Sequence, residues 1–143
     1  MKIATQQENK NEALKGLLRC EYKNEKWQEC AIIANQILQD KSAAPDDIVI
    51  ANMALYHQAL INKDSATATQ ILNKVIKSNS TLITAEAHYL LAKLCLDQQK
   101  LSLAEKTAFD VIKKQSAYEY WVTKSYVLLG DIYIAQKDNF NAI

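Results

Sequence analysis

The stretch Ala104-Glu105-Lys106-Thr107-Ala108-Phe109-Asp110-Val111-Ile112 decides how this chain is to be read. Its small and apolar residues fall at i, i+4, i+7 and i+8, which is one stripe of an α-helix. The same stripe occurs as Ala68-x3-Leu72-x2-Val75-Ile76 and as Cys30-x3-Ala34-x2-Ile37-Leu38, and Ala142 stands where a fourth copy would start. The four starts are 38, 36 and 38 residues apart. The same offsets bring out a companion stripe upstream of each one. Leu14-x2-Leu17, Asn52-x2-Leu55, His88-x2-Leu91 and Tyr126-x2-Leu129 align without gaps. Repetition at such a period marks stacked supersecondary units, none of which buries its apolar stripe alone.

Each unit reads as two amphipathic helices joined by a short polar turn. The turns hold Asn24-Glu25-Lys26, Asn62-Lys63-Asp64, Gln98-Gln99-Lys100 and Gln136-Lys137-Asp138. Between units come Ser42, Ser80 and Ser116, whose hydroxyls suit the capping of the next helix. Pro45 falls where a helix start tolerates it. Helices are predicted near 11–23, 26–40, 46–62, 65–78, 82–97, 100–114 and 118–136, with an eighth beginning at about 139. The expectation is one all-α domain, an α-α superhelix of about three and a half hairpins. Its units run about 11–42, 46–80, 82–116 and 118–143, the last cut short.

Composition agrees with this reading. Of the 143 residues, 49% are hydrophobic and 23% charged, enough apolar material for a core. Two glycines and one proline leave almost none of the punctuation that hairpins of strands require. A net charge of +1 gives no general pull toward nucleic acid or an anionic membrane. No segment approaches the ~18 apolar residues of a membrane span, and residues 1–7 lack the apolar core of a secretory signal. A soluble chain is expected, in the cytoplasm or the periplasm, with no membrane insertion. Three cysteines, Cys20, Cys30 and Cys95, form no disulfide framework.

The repeat resembles the tetratricopeptide repeat, whose pattern is W-x2-L-G-x2-Y … A-x3-F … P over about 34 residues. Tyr126-x2-Leu129-Gly130-x2-Tyr133 followed by Ala142 is the nearest match, and Leu91-Ala92-x2-Cys95 with Ala104-x3-Ala108 follows it. The first unit keeps Leu17, Trp27, Cys30 and Ala34, whereas the second places Tyr56 where the family has Gly or Ala. Small residues suit that position because the paired helices cross there. Residues 118–133 are also similar to a segment of long bacterial proteins that carry many such repeats. The likeness covers roughly residues 11–143 and implies a non-catalytic scaffold that binds protein or peptide. A peptide-sensing regulatory domain and a spacer within a longer array are the alternatives. Ending one turn into the eighth helix would leave Leu129, Ile132 and Tyr133 without a partner helix. Self-association through that end, or a longer array, is therefore expected.

No catalytic residue, cofactor or metal is expected. His57 and His88 lie in different units, with no carboxylate or cysteine at ligand spacing, and His88 falls on the core-side row. Cys20 and Cys30 are too far apart for a zinc pair, and Cys30 stands where the other units have Ala68 and Ala104. With Gly only at 16 and 130, no phosphate-cradling loop can form. Asp46-Asp47 read as a helix cap, where carboxylates favour the free N–H groups.

The resemblance implies that the first helix of each hairpin lines a concave face. Three rows of residues follow: Arg19, His57, Lys93, Asp131; Lys15, Met53, Tyr89, Val127; and Glu12, Ile50, Glu86, Lys124. The partner-binding set expected from them is Lys15, Arg19, Tyr22, Met53, His57, Tyr89, Lys93 and Asp131. An extended or helical peptide with an acidic group near Arg19 and Lys93 would suit it. A competing reading takes these rows as solvated helix faces. Lys15 matches the first element of the Lys/Asn/Lys/Arg set that holds peptide carboxylates in some family members. Arg19, Ala54, Glu86 and Leu90 depart from it, so that mode is not expected. Single-stranded RNA binding needs a strongly basic groove, and the charge argues against it.

Overall fold

A computed structural model describes residues 2–78 and 81–141. Among them the chain is all-α: α1 (Lys2–Lys23), α2 (Trp27–Gln39), α3 (Pro45–Ile61), α4 (Ser65–Ile76), α5 (Thr81–Asp97), α6 (Leu101–Lys114) and α7 (Glu119–Asn141). Two compact units divide it, Met1–Ile71 and Leu72–Ile143, with the division inside α4.

The repeat is written into the backbone of three turns. Glu25, Lys63 and Gln99 have φ of 58°, 57° and 60°, a left-handed closure at the 38 and 36 spacing. Each turn ends its helix with a bond spanning six residues. The N–H of Lys26 donates to the carbonyl of Glu21 (3.0 Å), that of Asp64 to Ala59 (2.9 Å) and that of Lys100 to Cys95 (2.9 Å). The N–H groups of Cys30, Ala68 and Ala104 then donate to Lys26, Asp64 and Lys100, opening the next helix. Asp64 adds a side-chain cap, accepting from the Thr67 N–H at 3.0 Å and its hydroxyl at 2.6 Å.

In the N-terminal unit α2 packs on α1 and α3, and α1 meets α3. The stripe Cys30, Ile33, Ala34 and Ile37 of α2 is buried with Leu18 of α1 and Ala51 and Ala54 of α3. The C-terminal unit repeats the plan, with α6 packing on α5 and α7 while α5 meets α7. Ala104 and Ala108 of α6 pack with Ala92 and Cys95 of α5 and with Leu128, Leu129 and Ile132 of α7. Small residues on the middle helix let its neighbours approach closely. Burying a Leu or Ile side chain contributes about 1.5–3 kcal/mol.

Four expectations are corrected. Helix α1 begins at Lys2, not near residue 11. Residues 2–10 are mostly good helix formers without an apolar stripe, so periodicity did not reveal them. Gln136-Lys137-Asp138 is no turn, because α7 runs on through Asn141 and no eighth helix starts at 139. A left-handed residue costs about 1–2 kcal/mol. At the three real turns that cost is offset by the burial of Cys30, Ala68 and Ala104 just beyond them. At the fourth triplet the Gln136 amide instead donates to Glu105 of α6 at 2.9 Å, which favours continuing the helix along its neighbour. Leu129 and Ile132 do have a partner helix, since they face α6. Ser42 does not cap α3: its N–H and hydroxyl donate to Asp40 Oδ1, and α3 starts from Ala44 without a side-chain cap. Pro45 opens α3 as its position predicts. Ser80 and Ala142 lie outside the described residues.

Tyr56 is accommodated. It is buried in α3, with the small Ala59 one turn on. The position of Gly130 requires no small residue for crossing, because a Cβ there would meet nothing within 4 Å.

Candidate interaction surfaces

Lys15 and Arg19 stand one helical turn apart on α1, so both project to the same side. Both reach Asp47 of α3, at 3.3 Å and 2.9 Å, and Lys15 also reaches Glu12 at 3.0 Å. Asp47 is only 5% exposed, and a carboxylate taken from water is costly unless cations and donors surround it. Its two cations supply that. Hydrogen bonds from Lys15 to Glu12 and to Asp47 hold the ammonium above its usual range. Asp47 does stand in the first turn of α3, where its charge favours the free N–H groups, and it is also the acid that neutralises the two cations expected to face a partner. Arg19 keeps much of its guanidinium in water, whereas Lys15 is largely covered.

Beside this cluster Trp27, the first residue of α2, stacks on His57 with centroids 4.0 Å apart and planes 12° apart. Tyr22 meets Trp27 edge-on at 5.0 Å and His57 at 5.9 Å, and Tyr56 closes on His57 at 5.1 Å. Burial among these rings lowers the His57 pKa from 6.5 to about 4. His57 is thus neutral at pH 7 and leaves the cationic row. Met53 leaves the exposed row, being 1% exposed in the core. Residues 51–54 of α3 are all buried, which a helix covered on most sides requires. The nearly unbroken apolar run from Ile48 to Leu55 was the available signal.

In the C-terminal unit Tyr89 is half-buried on α5, and Lys93 and Asp131 are exposed. Tyr89 packs on Trp121 of α7 at 5.5 Å, and Tyr120 meets Trp121 edge-on at 4.8 Å. The Lys124 ammonium lies 5.4 Å from the Tyr89 ring centre, 5.1 Å from that of Tyr120 and 5.5 Å from that of Trp121. Burial pushes the Glu86 carboxyl up, and Lys124 draws it back down.

The structure thus brings Lys15 and Arg19 together, and sets Tyr22 with His57 on Trp27. Asp47, Trp27, Tyr120, Trp121 and Lys124 are the members that row reading missed. Asp47 and Trp121 share one row, 36 and then 38 residues apart through Ile83, so the repeat register held the clue. His88 is buried, with Nδ1 3.0 Å from the Thr84 carbonyl of its own helix. Cys30 and Cys95 are buried, and burial raises both thiols. Among the described residues no helix is long and apolar enough to cross a membrane. Comparison with protein-family models, curated proteins and solved structures finds no match to this chain. The likeness to tetratricopeptide repeats accordingly rests on the chain's own residues.

Proposed function

We propose that this chain is a non-catalytic scaffold of tetratricopeptide-like hairpins, forming a superhelix that binds a protein or peptide through the first helix of each hairpin. The observation that carries the reading is the outer face of α7. Tyr120, Tyr126, Val127, Tyr133 and Ile134 are between 44% and 65% exposed. At 3.6 residues per turn they fall within an arc of about 140°. Apolar side chains gathered in this way mark a surface that another molecule covers. Exposed Lys93 and Asp131 of the same unit offer the polar groups that would orient such a partner. The matching turns at Glu25, Lys63 and Gln99 support the hairpin repeat.

Panning the full chain against a random peptide library, then titrating the enriched peptide, tests this. Affinity is expected to fall roughly tenfold or more in Val127→Glu/Ile134→Glu or in Lys93→Glu/Asp131→Lys, with far-UV dichroism unchanged. An empty selection, or wild-type affinity in both double variants, ends the proposal. Sedimentation velocity over a dilution series separates a foreign partner from a second copy of the chain.

A further inference from the structure

Tyr120, Trp121 and Lys124 occupy i, i+1 and i+4 on α7, so the lysine stem lies one turn from Tyr120. Tyr89 joins them only because α5 packs on α7, and Glu86 stands one turn before it on the same face of α5. The planes of Tyr120 and Trp121 are 82° apart, and Tyr89 is tilted 39° from Trp121, so the three rings present differently directed walls to one point. The Lys124 ammonium sits at that point, within 5.5 Å of all three centres.

We propose that Tyr89, Tyr120 and Trp121 form a binding site for an alkylated ammonium group, which the chain itself fills with Lys124. Ring faces attract cations through their quadrupoles, and a cluster of such faces recognises quaternary ammonium. A primary ammonium is compact and strongly hydrated, so it gives up much solvation to enter. An alkylated one spreads its charge over methyl groups, keeps contact with every ring and loses less water. Glu86 supplies a half-buried carboxyl whose ionised form is favoured by the neighbouring cation. With Lys124 gone, only the burial cost is left, and an incoming cation restores the balance. Lys124 is exposed on a flexible stem, so it competes with a ligand without sealing the site. The site needs no peptide, and it shares only Tyr120 with the exposed face of α7 on which the scaffold reading rests.

Titrating tetramethylammonium into the full ¹⁵N-labelled chain, and following the two indole N–H signals, tests it. Trp121 is expected to shift saturably while Trp27 stays still as the internal control. Lys124→Gln should bind about tenfold more tightly because the tethered competitor is removed, and Tyr89→Leu, which keeps the Trp121 signal, should bind at least tenfold more weakly. 3,3-Dimethylbutanol, the neutral isostere of choline, should bind about tenfold more weakly than choline. Choline and a peptide bearing trimethyl-lysine then separate a small-molecule source from a protein one, and tighter binding of either supports the site. The proposal is overturned if wild type shows no saturable Trp121 shift, if Lys124→Gln is no tighter, or if the isostere binds equally. Unmoved backbone amides in Lys124→Gln exclude misfolding as the reason.

Discussion

The crossing of α1 with α3 and the crossing of α5 with α7 occupy equivalent places in the repeat, yet they are closed by unrelated chemistry. Lys15 and Tyr89 share one row, and Asp47 and Trp121 share another. In the N-terminal unit these positions make an ion cluster around a buried carboxylate. In the C-terminal unit they make a ring pair, and the cation, Lys124, lies on top of it. The backbone repeat specifies that two side chains meet here. It does not specify what they are, because the same gap can be bridged by directional charge or filled by aromatic area. The consequence is functional: charges are consumed in the first unit, whereas the second leaves rings that can accept a cation.

The comparison can be broken by substitution, and the largest effect is expected at the rings. Trp121→Ala should cost about 3 kcal/mol in urea unfolding, since a large side chain is lost against Tyr89. Trp121→Asp should be rescued by about 1 kcal/mol when combined with Tyr89→Lys, which transplants the N-terminal pair. Without rescue, the equivalence of the two crossings is wrong. Asp47→Ala should cost about 2 kcal/mol, because two neighbouring cations lose the buried carboxylate that they share. A loss under about 0.5 kcal/mol would show that the ion cluster only replaces solvation.

His57 sharpens the contrast through pH. Its folded pKa is about 4 against 6.5 in an unfolded chain. Between these values the unfolded state takes up a proton that the folded state refuses. Stability therefore falls as pH drops from 6.5 toward 4, by about 1–2 kcal/mol once partial exposure is allowed for. His57→Phe, which keeps a ring on Trp27, should lose that part of the acid sensitivity when unfolding is followed at about pH 7 and about pH 4.5. An unchanged difference would place the proton elsewhere. The smallest effect is expected at Gly130→Ala, which should stabilise by about 0.5–1 kcal/mol because α7 is helical there and open beside it. Destabilisation would mean that the position is packed after all.

Helices α2 to α6 were legible within a few residues, because the repeated stripes and the turns between them bound each one. The start of α1 was hidden by its lack of apolar residues, and the continuity of α7 by the assumption that every polar triplet turns. Within the candidate surfaces, Arg19, Lys93 and Asp131 lie on exposed positions as the rows implied, whereas Met53 and His57 do not. Row reading assigns each first helix the same solvent face. Asp47, which answers Lys15 and Arg19, and Trp27, which covers His57, come from other helices and are invisible along a single row.

The amino-acid order alone determined that this chain is helical and repeats at 38 and 36 residues, since both are matters of local period and turn-forming residues. Tertiary packing alone decided which charges are spent. A lysine and an arginine one turn apart look like a binding patch until a carboxylate 28 residues beyond Arg19 reaches them. Whether a cation faces a partner or a neighbour depends on what is desolvated beside it, and that is a property of the folded surface.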